Sequence, residues 1–111
     1  FASYYEPWGY TPLESVSFSV PTITTNLAGF GLWVSDEPVG IQNGVAVINR
    51  NDHNYFEVAN EIHDNVVALS EMSEKELTAT RKKAKKIADG CSWNDFVKYY
   101  EEAFKIALQK R

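Results

Sequence analysis

Cysteine is nearly absent from this sequence of 111 residues: Cys91 stands alone, so no internal disulfide can form. Nothing in its cysteine usage points to an oxidising compartment, and the cytoplasm is the expected location. Long apolar runs are missing too. Gly29 to Val34 is among the longest, far short of the roughly 18 residues that a membrane-spanning helix needs. Basic residues are scarce in the first half, where Arg50 is the one base among residues 1–53. The formal net charge is −4, which argues against general nucleic-acid binding. No Asp-x-Asp pair or histidine cluster offers a metal site: His53 and His63 lie ten positions apart and read as surface or packing residues. No metal and no cofactor are expected.

What is present is ordinary globular material, with 44% hydrophobic and 23% charged residues. The length suits one domain with one modest core. Aromatic residues reach 14% and begin at residue 1, in the run Phe1-Ala2-Ser3-Tyr4-Tyr5. That abrupt aromatic start reads as the interior of something longer. Phe1 to Tyr5 looks like the tail of a strand, and its open edge invites self-association. Residues 54–111 are different in texture, long, periodic and evenly charged, with ten acids and ten bases. No Pro/Gly/Ser-rich linker separates the two halves, so residues 1–111 read as a single domain.

Local signals give an order of elements. Glu6 to Tyr10 is loop-like. Thr11-Pro12-Leu13-Glu14 has the form of a helix start, with Thr11 as N-cap, Pro12 first in the helix and Glu14 closing a capping box. That helix is expected to run to about Val20, with Leu13, Val16 and Val20 inward and Pro21 ending it. Thr22–Thr25 and Val45–Ile48 read as buried strands, the second preceded by the Asn43-Gly44 turn. Residues 26–36 read as a Gly-broken loop with room for one helical turn.

Three helices follow. The first spans about Asn54 to Ser70, with Phe56, Ala59, Ile62, Val66 and Leu69 along one face. The second is opened by the Ser73–Glu76 capping box and ended by Gly90 at a C′ position. The third starts at Ser92 and turns Trp93, Phe96, Tyr100, Phe104 and Ala107 or Leu108 inward. The expected fold class is therefore α/β: a partial Rossmann-like parallel sheet of about three strands, covered on both faces, with a helical C-terminal half.

Chemistry concentrates between Tyr5 and Glu14, where a strand end leads through Gly9 to a helix N-terminus. Ligands of open α/β sheets bind beyond the carboxyl ends of the strands. Backbone amides at Gly9, Tyr10 and Thr11 suit a phosphate there. Glu6 lies just before them and suits a neutral or cationic group on the same ligand, such as a sugar. Together they suggest a sugar nucleotide. Plainer readings stand beside these: Glu14 as a capping residue, Glu6 as a solvated loop acid, Trp8 and Tyr10 as packing aromatics. Arg81-Lys82-Lys83-Ala84-Lys85-Lys86 reads as a solvated helix face or as a polyanion or intersubunit contact. Cys91 sits near a helix start, which can lower a thiol pKa, although a buried structural thiol is the plainer reading.

The spacing of Glu6 and Glu14 resembles the E-x7-E motif of retaining glycosyltransferases with the glycosyltransferase-B fold. The run Tyr4 to Pro12, followed by Val20-Pro21-Thr22-Ile23-Thr24-Thr25-Asn26-Leu27-Ala28-Gly29-Phe30-Gly31, is similar to glycogen synthases of the animal and fungal type. A weaker likeness continues through Gly44–Ile48 and Trp93–Tyr100. The resemblance implies the C-terminal part of a nucleotide-sugar-binding domain. It implies Glu6 beside the transferred glucose as the catalytic group, and Trp8 lining the sugar pocket. It implies Gly9, Tyr10 and Thr11 on the distal phosphate, and Glu14 on the ribose. The reaction implied is transfer of glucose from UDP-glucose to the 4-hydroxyl of an α-1,4-glucan end, with retention. The chain lacks an acceptor domain and a basic pair for the diphosphate, so by itself it is expected to be inactive and to bind UDP weakly. Eukaryotic members carry an arginine-rich helix for glucose 6-phosphate. With one Arg and four Lys, residues 81–86 depart from that pattern, and the regulation is not expected to carry over. The alternatives are a related enzyme using another donor such as ADP-glucose, or a non-catalytic carbohydrate- or partner-binding module.

Overall fold

A computed structural model describes residues 1–110. Its elements in chain order are α1 (Tyr10–Ser17), β1 (Thr22–Thr25), α2 (Gly29–Val34), a short 3-10 turn (Ile41–Asn43), β2 (Val45–Ile48), α3 (Tyr55–Ser70), α4 (Glu74–Asp89) and α5 (Trp93–Gln109). The mixed helix-and-strand class is as expected, and β1 and β2 fall on the expected residues. They pair in parallel, Thr22 opposite Val45 through Thr25 opposite Ile48. Their β-branched and small side chains suit a strand pair packed on two sides, and most of them are buried.

The sheet has two strands rather than about three. Phe1–Tyr5 is not a strand. It runs beside β1 without forming a ladder, held by assorted bonds. The Phe1 amino group donates to the Ile23 carbonyl, and the Thr25 hydroxyl donates to the Ser3 carbonyl at 3.0 Å. Arg50 reaches the Ala2 carbonyl and lies over the Tyr4 ring, its guanidinium carbon 3.7 Å from the ring centre. Side chains thus take the partners that a ladder would use, and Tyr5 is left 80% exposed. Only at Glu6 does a single parallel bridge form, to Ala28. The open strand edge expected here for self-association is accordingly not present as a strand.

Helix α1 also departs from expectation. It starts at Tyr10, with Gly9 as N-cap and no side-chain cap bond, so Thr11 and Glu14 do not form a capping box. Gly9 has φ +103°, a left-handed conformation that glycine adopts at little cost. This turns the chain into the helix before Thr11 can cap it, and puts Pro12 third in the helix, where its missing N–H is no loss. The helix ends at Ser17, short of Val20, and Val20 is exposed while Val16 is fully buried. Residues 26–36 contain a true helix, α2, with Phe30 and Val34 in the core.

The core joins Val16, Phe30, Val34, Val45 and Ala84, from α1, α2, β2 and α4. Helix α4 carries the expected Ser73–Glu76 capping box and is capped at its far end by Gly90, whose φ of −84° is right-handed rather than the left-handed C′ geometry. Helix α5 is N-capped by Ser92 as expected. The inward faces expected of α3 and α5 are covered only in part within the described residues: Ile62 and Leu69 of α3 are half-buried, and Phe96 of α5 packs on Trp8 and Trp33. On α3 only Val58 is buried, and Phe56 is 78% exposed. On α5 no residue is buried and Phe104 is 63% exposed. Periodicity marks a helix as amphipathic but not what covers it. The Cα radius of gyration of 16.0 Å exceeds the roughly 13 Å of a compact chain of this length, in keeping with these projecting helices. No described helix is long and apolar enough to cross a membrane.

Candidate functional site

The loop Glu6–Gly9 is stitched to the start of α2. Glu6 N–H donates to the Leu27 carbonyl (3.1 Å), Gly29 N–H to the Glu6 carbonyl (3.2 Å) and Phe30 N–H to the Trp8 carbonyl (2.7 Å). The approach is so close that a side-chain carbon on Gly29 would overlap the Pro7 carbonyl oxygen. This clamp sets the loop just past the carboxyl end of β1, where the strand rule places ligands.

Glu6 is half-buried, and its Oε2 accepts from the Ser3 hydroxyl at 3.3 Å. The same carboxylate packs beside Gly9: a carbon added in the Cβ position of Gly9 would lie 3.5 Å from Glu6 Oε2. Glu6 therefore sits at the N-terminal end of α1, whose partial positive charge favours an anion. The amides of Tyr10 and Thr11 belong to the first turn, which has no preceding helical carbonyls to bond. Glu6, Gly9 and those two amides form one cluster. Tyr10, Thr11 and Glu14 expose their side chains on α1, and the backbone carbonyl of Glu14 accepts from Ser17 Oγ (2.6 Å) and Phe18 N–H (3.1 Å).

Trp8 points into a nest of rings. Its centroid is 6.0 Å from that of Phe30 at 86°, and 5.6 Å from that of Phe96 at 88°, both edge-to-face. It also lies 6.1 Å from Trp33. Trp8 and Tyr10 line a cavity of about 490 Å³ closed on its other side by α5. Neither α2 nor this cavity is signalled by the residues around Glu6. The paired glycines Gly29 and Gly31 are the one mark of close backbone approach.

Arg50 is a further residue that the site reading passes over. It follows β2, makes no ion pair among the described residues, and shares an open hollow with Tyr4, Leu27 and Asp52 beyond the strand ends. Its N–H donates to Asn26 Oδ1 at 2.8 Å, while Nε is buried with no partner. Its being the sole base before residue 54 was the available signal.

The basic run of α4 lies exposed along the helix. Lys83 Nζ donates to the Gln42 carbonyl and to Asn43 Oδ1, both at 3.4 Å, and Lys85 pairs with Asp89 at 3.4 Å. Both histidines are at the surface. Burial pushes the Cys91 thiol up to about 11, with the nearby Asp95 carboxylate adding to the shift, which makes it the inert, structural kind.

A parallel strand pair with a glycine turn and a helix N-terminus set beside its carboxyl end, and a carboxylate at that turn, defines an α/β protein with a ligand-type loop at its strand ends. The glycogen synthase family model matches residues 1–111, and the chain belongs to that family. It is 32% identical over 114 aligned positions to a glycogen [starch] synthase of Neurospora crassa. It is 29% identical to the liver glycogen [starch] synthase of Mus musculus and 30% identical to isoform 2 of Saccharomyces cerevisiae. Each comparison covers 99% of this chain but only 16% of the relative, so the chain spans about a sixth of their length.

Proposed function

We infer that this chain contributes the donor-binding loop of a cytoplasmic retaining glucosyltransferase. The enzyme would move glucose from UDP-glucose to the non-reducing end of an α-1,4-glucan. The observation that carries the reading is the cluster at Gly9, where a left-handed glycine opens α1 with free amides and the Glu6 carboxylate packs beside that glycine. In this reading the amides of Gly9, Tyr10 and Thr11 receive the distal phosphate, and the α1 dipole stabilises the charge that builds on the departing diphosphate. Glu6, held by Ser3, faces the sugar, where positive charge develops at the anomeric carbon. Trp8 borders the glucose and Glu14, free of any capping duty, is available to the ribose.

The charge balance favours this division of labour. Two anions beside one helix end repel, so Glu6 belongs against the neutral sugar and the phosphate against the amides. The described residues bring no cationic side chain to Gly9. The chain alone therefore binds UDP weakly and transfers no glucose. Amide chemical shifts followed through a UDP-glucose titration test this. Changes centred on Gly9, Tyr10 and Thr11, lost in Gly9→Val, are expected. Changes confined to other segments would overturn the reading.

A further inference from the structure

Glu6 is held at two levels. Its backbone is clamped to the start of α2 through Leu27 and Gly29. Its carboxylate has one donor among the described residues, the Ser3 hydroxyl at 3.3 Å. A Glu side chain has several staggered rotamers, so the backbone clamp leaves the direction of the carboxylate open. That direction depends on where Ser3 stands. Ser3 lies in a segment that forms no ladder with β1. Without ladder bonds its register is weakly fixed, and a slip of one residue would turn its side chain to the opposite face.

Side-chain contacts on three successive residues replace the ladder. Thr25 Oγ1 donates to the Ser3 carbonyl at 3.0 Å. Arg50 takes the residue on either side: Nη1 donates to the Ala2 carbonyl, and the guanidinium carbon lies 3.7 Å from the centre of the Tyr4 ring. Arg50 is itself fixed by the strand ends. Its N–H donates to Asn26 Oδ1 at 2.8 Å, and Asn26 Nδ2 donates to Asn49 Oδ1 at 2.8 Å. The Asn26 N–H continues the parallel pairing, donating to the Ile48 carbonyl at 3.0 Å. The carboxyl ends of β1 and β2 thus reach, through one guanidinium, the two residues that bracket Ser3.

Fold stability does not account for an arginine here. Its Nε is buried without an acceptor, a cost that a methionine would not incur. Asp52 borders the same hollow, yet the two make no ion pair. The bracket, by contrast, needs a guanidinium. A planar fork donates at its edge while its face covers a ring, whereas an ammonium is a point charge that serves one of these contacts at a time.

We propose that Arg50 is a positioning residue, which aims the Glu6 carboxylate by holding Ala2 and Tyr4 around Ser3. Its part in sugar transfer rests on the reading of Glu6 given above, while the link from Arg50 to Glu6 stands on the contacts alone. The test follows the Glu6 χ1 rotamer in the chain by three-bond couplings. One rotamer is expected in the unsubstituted chain, and averaging over several in Arg50→Met. The amides of Leu27 and Gly29 should keep their shifts, because the backbone clamp is untouched. Arg50→Lys keeps the charge without the fork, so it should average Glu6 as Arg50→Met does, and it carries the same comparison if Arg50→Met does not fold. Ser3→Ala should also average Glu6, and Arg50→Met should add nothing in that background, as two links of one route do. A single Glu6 rotamer in Arg50→Met overturns the proposal even where the melting temperature falls, since Arg50 is then a structural contact only. Averaging in the unsubstituted chain overturns it as well. So does rescue by Arg50→Lys, which would mark an effect of charge, and so do additive effects of the Arg50 and Ser3 substitutions. UDP-glucose is titrated separately. Absence of shifts at Gly9, Tyr10 and Thr11, with the rotamer results as expected, tells against the donor-loop reading, and the reverse pattern tells against Arg50 alone.

Discussion

Trp8 and Phe30 hold each other twice. The Phe30 amide donates to the Trp8 carbonyl at 2.7 Å, and the two rings meet edge-to-face with centroids 6.0 Å apart. One contact belongs to the backbone of the candidate site and the other to the packed interior, since Phe30 is fully buried. The position of the Glu6–Gly9 loop is thereby tied to core packing. Any ligand at Gly9 meets a loop whose shape is already set, which is what electrostatic preorganisation requires.

The first prediction follows from that coupling. Phe30→Ala removes a fully buried ring, a change that costs about 3–5 kcal/mol. A small domain has only about 5–15 kcal/mol in total, so a large share of its stability is lost. Urea unfolding monitored by far-ultraviolet circular dichroism should show the midpoint falling steeply. Amide exchange should quicken at Gly29 and Phe30, beyond what exposed sites on α3 show.

Gly9→Ala tests the helix start separately. At φ +103° an alanine costs roughly 1–2 kcal/mol in backbone strain. Its Cβ would also come within 3.1 Å of Pro12 Cγ, closer than ordinary contact, while only touching the Glu6 carboxylate at 3.5 Å. The melting temperature should drop by several degrees, roughly 4–8 °C per kcal/mol for a domain near this size. The N-terminal amides of α1 should shift, while those of α4 and α5 stay in place.

How far these contacts could be read in advance depends on how local their causes are. Thr22–Thr25 and Val45–Ile48 announce themselves because their branching and burial reside in the residues themselves. The Ser73 and Ser92 caps do so because each bond spans three residues. Thr11-Pro12-Leu13-Glu14 has the same local signature and yet does not cap, because the left-handed turn at Gly9 starts the helix first. Helix α2 is short and holds two glycines, so propensity argues against it, and its formation rests on Phe30 and Val34 being buried. The missing third strand has a tertiary cause as well, since Arg50 and Thr25 occupy the carbonyls of Ala2 and Ser3. In the candidate site, the Glu-x7-Glu spacing was visible. The packing of Trp8 against Phe96, 88 positions away, was not.

Cys91 gives a prediction about pH. Its pKa rises from 9.0 to about 11 on folding, chiefly through burial. A raised thiol pKa means that the folded chain holds the proton more tightly than the unfolded chain. The associated stability is present below about pH 9 and is lost as pH climbs through about 11. Below pH 9 the thiol should react with a disulfide reagent far more slowly in the folded chain than in urea. Cys91→Ser should reduce the decline in melting temperature between pH 9 and pH 11. Rapid labelling of the folded chain at pH 8 would contradict this.

The Ser73–Glu76 box supplies the opposite sign. The Ser73 backbone N–H donates to Glu76 Oε2 at 2.8 Å, the Ser73 hydroxyl reaches the same oxygen at 2.8 Å, and the Glu76 amide donates back to Ser73 Oγ at 3.3 Å. These bonds to the ionised carboxylate hold Glu76 below its ordinary value of 4.5, the backbone bond contributing most. Folding therefore gains from the carboxylate above about pH 4.5, and the gain disappears as pH falls through the lowered value. Ser73→Ala removes the hydroxyl that caps the Glu76 amide and costs about 1 kcal/mol. It leaves the Ser73 backbone bond in place, so part of the acid sensitivity should survive. Glu76→Gln keeps an acceptor at that position but abolishes the titration. Melting curves of the three proteins between pH 3 and pH 7 separate these effects. The unsubstituted chain should lose the most stability on acidification, Ser73→Ala less, and Glu76→Gln the least. Because α4 holds Ala84 in the core beside Val16 and Val45, fraying at Ser73 should reach Thr80 and loosen its hydrogen bond to the Gln42 carbonyl. Faster amide exchange along the first two turns of α4, ahead of any change in α1, is the expected sign of that order.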